Sequence, residues 1–156
     1  MRNGTSRVNV SDPYNLKRFL DAQDPVYGHV CAELRSGTKG SHWMWFIFPQ
    51  IRGLGHSSTA ITYAVSSRAE AEAYLRHPVL GPRLTECTRL VNAIDGRSAS
   101  EIFGYPDDLK FRSSMTLFSI AAPENPVFKQ ALDKYFDGQP DALTLQRLRD
   151  GRPLLN

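Results

Sequence analysis

The sequence predicts an all-α fold, a single compact domain of seven or eight helices around a buried aromatic segment. Three observations carry that expectation. Helix caps recur along the whole chain, the apolar residues between them fall at helical spacing, and no run alternates apolar and polar residues between hairpin signals. The 156 residues suit one domain, which at that length buries roughly 70% of its unfolded surface. With 41% hydrophobic and 22% charged residues, the composition is that of an ordinary globular protein and excludes a disordered chain.

Residues 1–11 are polar and without period, and residues 151–156 leave the last helical pattern at a glycine followed by a proline. Both ends are expected to be loose, with one helical domain over 12–150. Asp12-Pro13, Asp24-Pro25 and Asn125-Pro126 each set a capping side chain before a proline suited to a first helical turn. After the second of these, Tyr27, Val30, Cys31 and Leu34 form one stripe that ends at Gly37. Ser67 to Glu70 and Ser98 to Glu101 read as capping boxes, in which a hydroxyl and a carboxylate reciprocally satisfy free amides. Leu84, Cys87, Val91 and Ile94 form a stripe ending near Gly96, Phe111, Met115, Phe118 and Ala122 form another, and Phe128, Ala131, Leu132 and Tyr135 form one ending at Gly138. Only Ile61 to Val65 suggests an extended stretch.

Several function classes are disfavoured at this level. No apolar run approaches the ~18 residues that cross a bilayer, and Met1 to Val10 lacks a signal-peptide core, so a cytoplasmic protein without membrane contact is expected. The net charge of +3 is spread along the chain, which makes nucleic acid the least favoured partner. Cys31 and Cys87 sit on apolar stripes and are expected to be buried, reduced thiols. His29, His42, His56 and His77 lack metal-ligand spacing, and no serine lies in a Gly-x-Ser-x-Gly elbow, so no metal or cofactor is expected.

Three segments carry candidate chemistry. Ser41 to Gln50 contains seven successive apolar or aromatic residues, and is expected to be a short buried helix capped by Ser41 and ended before Pro49. Trp43 and Trp45 could wall a pocket as well as fill a core, and His42 is the candidate acid or base beside them. Next, Gln50 leads into a loop with Gly53 and Gly55 ahead of Ser57, Ser58 and Thr59. This is either a plain turn with a cap or a set of free amides for an anion. Finally, Lys110, Arg112, Ser113 and Ser114 put cations and hydroxyls on an otherwise apolar helix, for a phosphate or carboxylate ligand or for ion pairs and helix packing.

Ser41 to Gln50, Gly53-Leu54-Gly55, His77 to Leu84 and Arg112 to Phe118 make the chain resemble domain-of-unknown-function family 1810, from about Asp12 to Leu148. The resemblance implies an all-helical single domain and no particular activity; the calpastatin-like label of some members adds none. The chain departs from the family pattern at Gly40, where a basic residue is common. Two readings of function result. One is a cleft for a small anionic, nucleotide-like ligand, formed near the glycine loop and the Lys110 to Ser114 face. The other is a protein-interaction module with no small-molecule site. No motif names a reaction, a protein partner or an oligomeric state.

Overall fold

The computed structural model describes residues 12–150; the ends expected to be loose, 1–11 and 151–156, lie outside them. Ten helices occur among the described residues: α1 (Lys17–Gln23), α2 (Tyr27–Ser36), α3 (Met44–Ile47), α4 (Ser58–Thr62), α5 (Arg68–Arg76), α6 (Leu80–Asn92), α7 (Ala99–Phe103), α8 (Asp107–Ala121), α9 (Val127–Phe136) and α10 (Ala142–Asp150). The number exceeds the seven or eight expected. The excess lies in α4, whose five residues are too few to display an apolar stripe, and in α10, which buries only Thr144.

The centre also differs from expectation. The axis of the fold is α8, against which α3, α5, α7, α9 and α10 all pack, while α6 carries α2, α5 and α9. The aromatic run lies on that axis and does not itself form it. Phe111 of α8 meets Phe48 edge-on at 5.0 Å and stacks on Phe103 at 4.7 Å, and all three rings are buried. Burying one such side chain stabilises the fold by roughly 2–3 kcal/mol, and each ring pair adds about 1 kcal/mol. From Phe111 to Phe118 every residue but Arg112 is buried, so the hydroxyls of Ser113, Ser114 and Thr116 are largely withdrawn from solvent.

The caps follow the sequence in part. Ser57, Ser67 and Ser98 each accept a backbone N–H at the start of α4, α5 and α7, and Ser98 with Glu101 forms the full reciprocal box. Glu70, by contrast, reaches past Ser67 to the Ser66 amide at 2.9 Å and to Arg18 at 2.8 Å. Arg18 also donates to the Thr62 and Ala64 carbonyls, so this buried ion pair ties α1 to the exit of α4 and the entry of α5. Asp24 caps no helix; it pairs with Arg83 at 2.9 Å instead.

The expected extended stretch over 61–65 reduces to its last residue, because residues 58–62 coil into α4. Val65 makes one isolated parallel bridge with Ile51, the Arg52 amide donating to the Val65 carbonyl and the Val65 amide to that of Gln50, each at 2.8 Å. The bridge closes the intervening segment into a loop with fixed feet. Cys31 and Cys87 are free and buried on α2 and α6, and burial pushes the Cys87 thiol far up, so it stays protonated.

Candidate functional site

A cleft of about 470 Å3 opens between the glycine loop and the first half of α8. Trp45, on α3, and Gln50, just before the bridge, form its inner wall. Leu54, Gly55, His56 and Ser57 form one side. Lys110 and Ser113 face them from α8, one turn apart, and Asp141 closes the far end. Leu109 and Leu143 stand at the mouth, 45% and 47% exposed. Five of the candidate residues thus line one concavity: Trp45, Gln50, Gly55, Lys110 and Ser113. The volume falls in the ordinary range of small-molecule sites.

The charge here is asymmetric. Asp107, in the first turn of α8, is shared between two lysines, holding Lys39 at 2.9 Å and Lys110 at the looser distance of 3.4 Å. Lys39 is nearly buried, whereas Lys110 is partly exposed with its ammonium 4.9 Å from the Trp45 ring centre. One carboxylate against two ammonium groups leaves a unit of positive charge within this trio, balanced across the cleft by the Asp141 carboxylate, and the weaker bond marks Lys110 as the group free to exchange partners. Opposite it, Asp141 Oδ2 caps α10, accepting from the Thr144 amide at 3.0 Å, the Thr144 hydroxyl at 2.6 Å and Ser113 at 3.2 Å. Ser113 also donates to the Leu109 carbonyl, so its hydroxyl is held in the wall.

The other candidates are placed elsewhere. Gly53, with φ +100°, sits just behind the loop, where a Cβ would come within 2.9 Å of Arg147 Nε. Arg112 turns from the cleft and donates to the carbonyls of Gln139 and Pro140, its guanidinium 5.6 Å from the Phe136 ring. Ser114 is fully buried on another face of α8, and its hydroxyl has no partner among the described residues. His42 is exposed and makes no hydrogen bond among the described residues.

Ser41 and Trp43 join an assembly that sequence reasoning missed. Glu33, on α2, takes the Gly40 amide at 2.7 Å, the Ser41 amide at 3.1 Å and the Trp43 indole N–H at 2.9 Å on Oε1. Its Oε2 takes the Ser41 hydroxyl at 2.6 Å and lies 2.7 Å from His29 Nε2. Burial alone would raise the Glu33 pKa, but these donors outweigh it and hold the carboxyl at about 2. Because Ser41 supplies Glu33, it does not cap α3 as expected; Trp43 occupies that position. The arrangement is not a serine nucleophile with its base. Ser41 gives its proton to the carboxylate, and the same histidine nitrogen meets both partners.

Asp141 and Glu33 are thus the principal residues missed. The order Pro140, Asp141, then Thr144 is a legible helix start and could have located the first; Glu33, set between Val30 and Leu34 of the apolar stripe, gave a fainter signal.

Residues 13–148 match the family described as "Protein of unknown function (DUF1810)". The chain belongs to that family. This DUF1810 protein is also similar to the conserved hypothetical protein Rv1873 from Mycobacterium tuberculosis, known from a crystal structure. The two are 57% identical, with 88% of this chain and 99% of that one covered and a TM-score of 0.88. No curated protein matches the chain.

Proposed function

We propose that this DUF1810 protein binds a small anionic ligand with a planar, nucleotide-like part in the cleft between the glycine loop and α8, and that it acts in the cytoplasm. The observation that carries the reading is the Lys39–Asp107–Lys110 group, which leaves a loosely paired ammonium, that of Lys110, in a concavity walled by Trp45, while the lining carboxylate Asp141 is already matched by Thr144 and Ser113. An anionic group would take the Lys110 ammonium from its long contact with Asp107, and the indole offers an apolar surface to a flat ring. Each charge-assisted hydrogen bond of this kind contributes roughly 1.5–3 kcal/mol, or about 10- to 100-fold in affinity.

Melting temperature with a panel of nucleotides, sugar phosphates and dicarboxylates tests the proposal. The wild type should be stabilised by at least one member, and Lys110→Ala should melt normally yet lose the response. A panel that shifts nothing sinks the reading. The interaction-module reading draws on one observation of its own. Leu109 and Leu143 are exposed at the mouth, and Tyr105, next to the lining residue Pro106, is 80% exposed. A protein complex lost on Leu109→Asp and Leu143→Asp, without any ligand response, would favour that account.

A further inference from the structure

A second concavity of about 450 Å3 lies between the start of α5, the end of α8 and α10. Its floor is apolar, made of Ile51, Ile120, Leu145 and Leu148, and its rim carries Arg68, Arg147 and Arg149. No carboxylate among the described residues lines it. Arg68 is paired with Glu72 at 3.0 Å, while Arg147 and Arg149 take no carboxylate among the described residues. The Arg147 side chain passes close to Gly53, where an added Cβ would stand 2.9 Å from Nε and 3.2 Å from Cζ. Of the serine hydroxyls beside it, Ser66 already donates to Glu70 and Ser67 accepts the Glu70 amide, so the arginines are the charged recognition groups of the groove.

We propose that this groove is a binding site for a small amphiphilic anion, a carboxylate or phosphate head held by Arg147 and Arg149 with an alkyl or aryl body on the apolar floor. An inorganic anion would leave the floor unused, and a neutral apolar molecule would leave the guanidinium groups unused.

The test uses three probes on the whole protein, followed by heteronuclear NMR: hexyl phosphate, inorganic phosphate and 1-hexanol. Hexyl phosphate should shift the amides of Ile51, Ile120 and residues 145–149 and bind at least about tenfold more tightly than either other probe. Arg147→Met and Arg149→Met should each weaken it about tenfold, while Lys110→Ala, in the other cleft, leaves it unchanged. Failure here therefore reads separately from failure of the cleft. Equal binding of inorganic phosphate would overturn the role of the floor, and equal binding of hexanol that of the cations. Amides that do not respond to hexyl phosphate at about 10 mM would overturn the site itself. If Arg147→Met melts early, Arg149→Met and the wild-type probe series still decide the outcome.

Discussion

The Glu33 knot and the cleft on α8 are two polar assemblies of similar make-up, and they differ in what they leave unsatisfied. In the knot, two carboxylate oxygens take three backbone or indole N–H groups, one hydroxyl and one imidazole, and every contact except the imidazole, which lies on α2 itself, pins the 40–43 segment to α2. In the cleft, Lys110 holds half of a shared carboxylate at a long distance, and Gln50 and His56 line open space. A cluster of serine, histidine and tryptophan next to one another in sequence is therefore no guide to a site. What separates scaffold from site is whether the donors have already been matched.

Removing the centre of the knot is the harshest challenge to that contrast. Glu33→Ala strands several inward-facing donors, and should cost about 3 kcal/mol and lower the melting temperature by roughly 6–12 °C. A variant that melts within a degree or two of wild type would show the knot to be dispensable. Acid acts on the same group more gradually. With a folded value of about 2 against an ordinary 4.5, its stabilisation is complete above about 4.5 and is lost as the pH falls through that window towards 2. Wild-type melting temperature should fall across the window, and Glu33→Gln, less stable at neutral pH, should fall less; parallel curves would contradict the assignment.

Arg112 and Lys110, two residues apart, sharpen the comparison within one helix. Arg112→Ala loses two carbonyl contacts and its packing on Phe136, and should cost roughly 1–2 kcal/mol without altering any ligand response. Lys110→Ala should cost under about 1 kcal/mol and abolish that response. The reverse pattern in a melting series would move the site to the other face of α8. His42→Ala is the smallest expected effect, within about 0.5 kcal/mol of wild type in stability and unchanged in binding, since its side chain is exposed and makes no hydrogen bond among the described residues.

Much of the cleft was legible because its parts are local. The aromatic run, the glycine loop and the polar turn of α8 each occupy a few consecutive residues, and folding brings Trp45, Gln50, Gly55, Lys110 and Ser113 together. The reading of Ser41 as a cap went astray because its better partner lies eight residues back on α2, where a carboxylate competes with a helix terminus for the hydroxyl. Asp141 announces a helix in the sequence, but its contact with Ser113 spans 28 positions and depends on how α10 packs against α8. The arginine-rimmed groove had no signature at all, because its walls come from four separated segments and its charge imbalance exists only after they meet.

The lone bridge between Ile51 and Val65 has a consequence for both concavities. Side chains on an extended backbone alternate in direction, and here Gln50 looks into the cleft while Ile51 forms floor in the arginine groove. Successive residues of one segment thus line the two chambers, and two hydrogen bonds to Val65 hold that segment. A guest that displaced this segment on one side would alter the room on the other, and by reciprocity any change it made in the affinity for a second guest would be returned by the same factor. Titrating hexyl phosphate with and without a saturating cleft ligand would measure that factor, and identical curves would mean the segment does not yield.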